Sequence, residues 1–217
     1  TSIERALGHH DGFSGLGMQD HRTIRMIQRP FIRSGFEFSA DNLDAAVFRL
    51  KTPLRKAKAQ IRKHTNPKNL ESVSRSRYAQ YYKFSFVRNP WARTWSWYRN
   101  VSRDDWMSRV YGLSGQISFS EFAHRFVGKR HLKPQTYWLK NTSGKIDLDF
   151  IGKFERLEDD FNIVTTALGL ADTSLPHVLK AKEKADLEEV YDEPTRRLVQ
   201  KAYSEEIELF GYSFPFK

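Results

Sequence analysis

The segment that most constrains the fold of this chain is residues 81–100, which read YYKFSFVRNPWARTWSWYRN. Its first seven residues, YYKFSFV, are aromatic or β-branched and nearly unbroken by polar residues, which is typical of a buried strand in a parallel sheet. Asn89 is a good helix N-cap, and Pro90 suits the first helical position. The segment therefore predicts a strand, a tight turn and a helix in direct succession.

Strands and helices alternate along the rest of the chain. A second short strand is predicted near residues 150–152, and helices are predicted in ISFSEFAHRFV, in RLEDDFNIVTTALGL and, as one long helix, in DEPTRRLVQKAYSEEIELFGYSF. A further helix is expected to begin in DHRTIRMIQ with Asp20 as its cap. This alternation favours an α/β fold with a parallel sheet flanked by helices. We expect one domain over residues 1–217, with a basic helical insertion at 29–77.

The charge of the chain predicts an acidic partner. The formal net charge is +10, and residues 44–77 contribute ten Lys and Arg against two Asp and Glu, a net of +8. Such a surface suits nucleic acid, anionic lipid, or a phosphorylated or sulfated small molecule. The segment lacks the interleaved aromatic residues of a base-stacking platform, which makes nucleic acid the less favoured partner. A nucleic-acid or polyanion-binding module that uses residues 44–77 is the alternative function.

Several classes of chemistry have no support in the sequence. The chain contains no Cys, which excludes disulfides and thiolate catalysis. No apolar run approaches 18 residues, so no membrane span is expected. No HExxH, EF-hand or GxSxG motif is present, so we expect neither a metal site nor a Ser triad. The lack of Cys favours a bacterial-type cytoplasmic protein.

The strand–turn–helix segment is also a candidate anion site. A helix start presents unpaired N–H groups and the positive end of its dipole. Arg88 stands at the strand end, where open α/β sheets bind ligands, and Arg93 and Ser96 share one helix face. These groups suit a phosphate. The alternative is that the two arginines form surface ion pairs and the nearby Trp residues belong to the core.

Six segments, in order, resemble the sulfotransferase family 2 group, which comprises the carbohydrate sulfotransferases and their bacterial relatives. They are TSIERAL, DHRTIRMI, FSFVRNPWARTWSWYRN, HLKPQTYWL, IGKFERLEDDF, and LPHVLKAKEK together with YSEEIELFGYSF. The resemblance covers most of the chain apart from about residues 29–77. FSFVRNPWARTWSWYRN resembles the 3′-phosphate-binding segment of that family.

The resemblance implies a P-loop-like α/β fold and the sulfate donor 3′-phosphoadenosine 5′-phosphosulfate, here called PAPS. It implies that Arg88 and Ser96 hold the 3′-phosphate, with Arg93 nearby. Thr1 and Ser2 would be the end of the 5′-phosphosulfate loop. The strand and the Pro-Lys-x-x-Gly part that precede them in the family are absent from this chain, so we expect an N-terminally truncated domain with impaired turnover.

Sulfuryl transfer needs a positioned base for an acceptor hydroxyl, and His21 is the first candidate because imidazole titrates near neutral pH. His131 is the second candidate. The family pattern places HLKPQ near the acceptor, so His131 and Gln135 are also candidates for binding a carbohydrate. No metal is expected in the reaction. Glu155 is expected to be a buried carboxylate with a structural role beside an arginine.

Three matters stay open in the sequence. A nucleotide phosphotransferase of related fold is a rival function. It would require a Gly-Lys-Ser/Thr loop and a metal-binding Asp after a strand, neither of which is visible. The Golgi lumen is the alternative compartment if a membrane anchor precedes Thr1. The acceptor, beyond a hydroxyl of a glycan or similar molecule, cannot be read from these residues.

Overall fold

The computed structural model describes residues 3, 6–7, 22–28, 39–61, 73–113, 115, 117–170, 174–175 and 186–214. Of the elements bounded within these ranges, helices α1 (Ile24–Ile27), α2 (Ala40–Ile61) and α3 (Arg75–Gln80) precede strand β1 (Phe84–Val87). Next come α4 (Pro90–Arg103), α5 (Asp105–Val110), α6 (Phe119–Phe126), α7 (Gln135–Leu139) and β2 (Phe150–Lys153). The last helices are α8 (Leu157–Ala167), α9 (Leu187–Val190), α10 (Glu193–Ala202) and α11 (Ser204–Phe210).

The predicted strand–turn–helix is confirmed. Strand β1 ends at Val87, which is 1% exposed, and α4 begins at Pro90. The Asn89 side chain accepts hydrogen bonds from the N–H groups of Trp91 (3.0 Å) and Ala92 (3.2 Å). An N-cap of this kind, followed by Pro, fixes where the helix starts. The chain therefore leaves the strand and enters the helix within two residues.

The second predicted strand is also confirmed, and β1 and β2 pair in a small parallel sheet. The sheet has two strands among the described residues. Its pairing begins at Lys83, whose carbonyl accepts hydrogen bonds from the N–H groups of Asp149 (2.7 Å) and Phe150 (3.2 Å). A small parallel sheet in a helix-rich chain is consistent with the predicted α/β fold. The wider P-loop-like sheet stays a prediction.

Two helix predictions differ from the structure. The expected single C-terminal helix is divided into α10 and α11, because Tyr203 leaves the helical conformation (φ −120°, ψ 23°). Its hydroxyl instead donates to the Leu132 carbonyl at 2.5 Å. The N-terminal helix of DHRTIRMIQ begins after Thr23, and the expected cap Asp20 lies outside the described residues. The helix predicted over ISFSEFAHRFV is present as α6.

The chain divides into two compact units. The first comprises Thr1–Ser85, Tyr137–Gly152 and Glu158–Lys180, and the second comprises Phe86–Thr136, Lys153–Leu157 and Ala181–Lys217. In the first unit, α2 occupies Ala40–Ile61 of the basic region, and Asn42 and Ala45 are buried on one of its faces. Whether residues 29–77 are an insertion in one domain stays a prediction.

The second unit has an aromatic core around α4. One cluster contains Trp91, Phe119, Ala123, Tyr191, Val199 and Tyr203. A neighbouring cluster contains Val101, Tyr111, Leu113, Phe122, Phe126 and Leu132. Aromatic side chains bury large apolar areas and stabilise such a core strongly. Helix α4 contributes Trp91 to the first cluster and Val101 to the second, so both of its ends are packed in the core. Its first turns carry the candidate site.

Candidate functional site

The backbone N–H groups around the start of α4 are occupied. Gln135 Oε1 accepts from the Arg88 N–H (2.8 Å), and Glu155 Oε1 accepts from the Asn89 N–H (2.7 Å). The Asn89 cap takes the next two N–H groups of the helix, and Pro90 has none. The sequence argument for an anion held by free N–H groups at this helix start is therefore wrong at these positions. An anion here has to be held by side chains.

Arg88 offers such a side chain. Its guanidinium lies over the ring of Phe154, with 4.6 Å from Cζ to the ring centroid. No described residue accepts a hydrogen bond from it. Burial lowers the pKa of Arg88 from its usual value, and the carboxylate of Glu155 opposes this shift. A cation that is half-buried and has unused N–H donors is suited to a multivalent anion.

Ser96 lies on α4, one turn beyond Arg93, as the sequence predicted. Its side chain is partly exposed, and its hydroxyl has no hydrogen-bond partner among the described residues. A serine hydroxyl in the middle of a helix commonly bonds back to its own helix, as Thr94 does to the Pro90 carbonyl (2.8 Å). The Ser96 hydroxyl is therefore available to a ligand.

Arg93 is bonded into the protein. Its Nη2 donates to the carbonyl oxygens of His131 (2.7 Å) and Lys133 (2.9 Å). Its Nη1 is buried and has no hydrogen-bond partner among the described residues. Burial lowers the pKa of Arg93, while Tyr203 and Glu206 oppose the shift. The structure thus shows Arg93 holding the HLKPQ segment, and a ligand contact through Nη1 stays a prediction.

His131 is exposed, in the short 3-10 turn Arg130–Leu132. Its Nδ1 lies 2.9 Å from the Tyr111 hydroxyl, which accepts from Trp97 Nε1 at 2.8 Å. The His131 and Trp97 rings are 5.1 Å apart. Arg130, which precedes His131, has a φ of +48°, a value uncommon outside Gly, Asn and Asp. The imidazole is thus oriented by an aromatic pair.

Gln135 and Glu206 form the buried side of the site. Gln135 Nε2 donates to the Arg88 carbonyl (2.8 Å) and to Glu206 Oε1 (3.2 Å), and the Gln135 N–H donates to Glu206 Oε2. Glu206 is 0% exposed. Burial raises the pKa of Glu206, while Arg93 and the Gln135 hydrogen bonds oppose this shift. The expected contact of Gln135 with an acceptor stays a prediction.

The structure bonds four of the predicted site residues in two pairs. Arg88 is bonded to Gln135, and Arg93 is bonded to the turn that carries His131. Thr1, Ser2 and His21 lie outside the described residues, so their predicted roles stay predictions. Glu155 accepts from the Asn89 N–H and from the Tyr212 hydroxyl (3.2 Å) and interacts electrostatically with Arg88.

Sequence reasoning missed Phe154 and Glu206. A signal for Glu206 was available, because Tyr203, Glu206, Ile207 and Phe210 share one helical face, so a carboxylate falls among apolar side chains. Phe154 had no comparable signal, since its contact with Arg88 depends on tertiary packing. The described residues contain no group of three or more His, Asp or Glu that could hold a metal. No helix in the described ranges could cross a membrane.

Comparisons with known proteins identify the family of the chain. The model of the family described as "Sulfotransferase family" matches residues 31–213. Carbohydrate sulfotransferase 14 of Danio rerio is 31% identical over 117 residues, which cover 44% of this chain and 32% of that protein. The chain thus matches about a third of the length of that relative. No solved structure matches the chain. Because the family model covers well over half of its residues, the chain belongs to the sulfotransferase family.

Proposed function

We propose that this protein transfers a sulfuryl group from PAPS to a hydroxyl of a carbohydrate. The observation that carries the proposal is the Arg88 guanidinium, which lies over Phe154 at the end of β1 without a hydrogen-bond acceptor among the described residues. Membership of the sulfotransferase family supports the reaction class. The name of the zebrafish relative supports a carbohydrate acceptor.

The residues at the start of α4 fit the 3′-phosphate of PAPS. Arg88 would give charge-assisted hydrogen bonds, and the unpartnered Ser96 hydroxyl would give one more. PAPS supplies a sulfuryl group attached to a phosphate leaving group. Thr1 and Ser2 keep their predicted place at the 5′-phosphosulfate. Catalysis would depend mainly on holding donor and acceptor in line, as in phosphoryl transfer.

His131 is the described candidate for the base that takes the proton from the acceptor hydroxyl. If Nδ1–H donates to the Tyr111 oxygen, Nε2 carries the lone pair that would accept that proton. The exposed imidazole and its Trp97 neighbour also suit contact with a sugar. His21 remains the other candidate for the base, and Gln135 remains a predicted acceptor contact.

Calorimetry with adenosine 3′,5′-bisphosphate, the product of the donor, tests the proposal. We expect binding that is at least tenfold tighter than that of adenosine 5′-monophosphate, because the second nucleotide lacks the phosphate that Arg88 would hold. Equal affinities for the two nucleotides would contradict the proposal. Transfer of radioactive sulfate from PAPS to a panel of glycans then identifies the acceptor.

Binding of a polyanion by residues 44–77 is the alternative function. Helix α2 covers much of this segment, and Lys51 is exposed on it. Polyanion binding should weaken steeply with salt, whereas binding of one nucleotide in a pocket should weaken much less. The compartment stays a prediction, with the cytoplasm as the first expectation and the Golgi lumen as the alternative.

A further inference from the structure

The amide of Gln135 closes a ring of two hydrogen bonds with the backbone of Arg88. Its Oε1 accepts from the Arg88 N–H and its Nε2 donates to the Arg88 carbonyl, each at 2.8 Å. Arg88 follows the last residue of β1. The Gln135 amide therefore bonds to the N–H and C=O of Arg88 as a residue of a neighbouring strand would in a sheet. These two bonds fix the backbone to which the Arg88 side chain is attached.

The orientation of the amide is determined by its partners. Gln135 Nε2 faces two acceptors, the Arg88 carbonyl and Glu206 Oε1 (3.2 Å), while Oε1 faces one donor. A flipped amide would put an oxygen against two acceptors and an N–H group against a donor. All three polar groups of the side chain are satisfied in one orientation, and Gln135 is 8% exposed.

Glu206 locks this arrangement. The carboxylate is 0% exposed and accepts from both the main-chain N–H and the side chain of Gln135. Burying a carboxylate is unfavourable unless its lone pairs are used. Glu206 therefore stabilises one position of the amide of Gln135, which is the first residue of α7. Arg93 holds the preceding carbonyls of His131 and Lys133.

We propose that Gln135, held by Glu206, is a positioning residue that aims the Arg88 guanidinium at the 3′-phosphate of the nucleotide. This inference rests on the proposed function. In this role Gln135 acts through the backbone of Arg88, and its own amide groups are used within the protein. Its contribution is therefore to selectivity for the position of the ribose phosphate, because a displaced Arg88 would no longer distinguish neighbouring positions on the ribose.

The test compares two isomers of equal charge, adenosine 3′,5′-bisphosphate and adenosine 2′,5′-bisphosphate, by calorimetry on the full chain. We expect the wild type to prefer the 3′ isomer. Gln135→Leu should lower the affinity for the 3′ isomer by about tenfold and the affinity for the 2′ isomer by less than twofold. Gln200→Leu, at an exposed position on α10, is the matched control and should leave both affinities unchanged.

Gln135→Glu serves as a second variant if the leucine does not fold, because it has the same shape but places an oxygen against Glu206 and the Arg88 carbonyl. It should lose the 3′ preference too. The double variant Arg88→Ala/Gln135→Leu should bind the 3′ isomer as weakly as Arg88→Ala alone, since both changes remove one interaction.

Two results would overturn the inference, and they differ from failure of the proposed function. Equal losses for both isomers in the Gln135 variants would show a general structural role, and additive losses in the double variant would show that Gln135 does not act through Arg88. A wild type that does not prefer the 3′ isomer would instead contradict the proposed function, and this inference with it.

Discussion

The Nη2 atom of Arg93 lies 2.7 Å from the carbonyl oxygen of His131 and donates a hydrogen bond to it. This bond joins the helix that carries Ser96 to the turn that presents His131. The sequence resemblance placed Arg93 near the 3′-phosphate, and the structure adds an internal role, because one end of the guanidinium is used by the protein. The donor-binding and acceptor-binding residues of the proposed enzyme are thus held by one side chain.

Arg88→Ala should weaken the binding of adenosine 3′,5′-bisphosphate by roughly 10- to 100-fold, because a hydrogen bond to a charged group contributes about 1.5–3 kcal/mol. The backbone hydrogen bonds of residue 88 are retained in this variant, so its unfolding temperature should change little. Calorimetry measures the affinity. Arg99→Ala, at an exposed position on the same helix, is the control, and a comparable loss there would indicate a nonspecific effect of charge.

Ser96→Ala should weaken binding of the same nucleotide by roughly tenfold or more, because a hydrogen bond to a charged phosphate contributes at least about 1.5 kcal/mol. Stability should be unaffected, since the hydroxyl has no partner among the described residues. Ser102→Ala, which changes an exposed serine of α4, should bind as the wild type does. Unchanged affinity in Ser96→Ala would remove this residue from the proposed site.

Arg93→Met should lower the free energy of unfolding by about 2–4 kcal/mol, measured by urea denaturation. The variant keeps much of the side-chain volume but removes the donor to two carbonyl oxygens and the cation near the buried Glu206. Arg99→Ala should stay within about 0.5 kcal/mol of the wild type. A stable Arg93→Met that has lost nucleotide binding would favour a purely ligand-binding role.

His131→Ala should lower kcat/KM for sulfuryl transfer by about 10²- to 10⁴-fold, the usual contribution of a general base. Affinity for adenosine 3′,5′-bisphosphate should stay within twofold, because the nucleotide would be held by Arg88 and Ser96. His124→Ala, an exposed position on α6, is the control. Near-normal turnover in His131→Ala would direct attention to His21.

Asp192→Ala should destabilise the protein by about 1 kcal/mol at neutral pH, because Asp192 caps α10 by accepting from the Thr195 N–H (2.8 Å). Hydrogen bonds from Thr195 lower the pKa of Asp192 below its usual 3.8. The contribution is therefore complete above that value and is lost as the pH falls through the lower folded-state pKa. Urea denaturation at pH 7 and pH 3 measures the free energy of unfolding. The difference in this free energy between the variant and the wild type should be smaller at pH 3.

Short-range patterns in the sequence were sufficient to predict the central part of the fold. The strand ending at Val87, the Asn89 cap and Pro90 at the helix start are set by preferences that act within a few residues. The same holds for α6, for β2 and for α8, which the sequence also predicted as local elements. The sequence could also place Arg88 at the strand end and Ser96 on the helix.

The break between α10 and α11 was not predicted from local patterns, and Tyr203, at the break, donates a hydrogen bond to a carbonyl oxygen 71 positions away. The contacts between residues of the site also join positions that are far apart in the sequence. Gln135 lies 47 residues from Arg88 and 71 from Glu206, and Phe154, in the short turn after β2, lies against the Arg88 guanidinium.

The amino-acid sequence alone therefore determined the local elements, the family resemblance and the basic side chains offered to an anion. Only the tertiary structure decided that the N–H groups at the start of α4 are occupied, that Arg93 is bonded to the turn carrying His131, and that a buried carboxylate orients Gln135. The physical reason is that capping and amphipathic patterns act over one or two turns, whereas a hydrogen bond between distant residues exists only when the core brings their elements together.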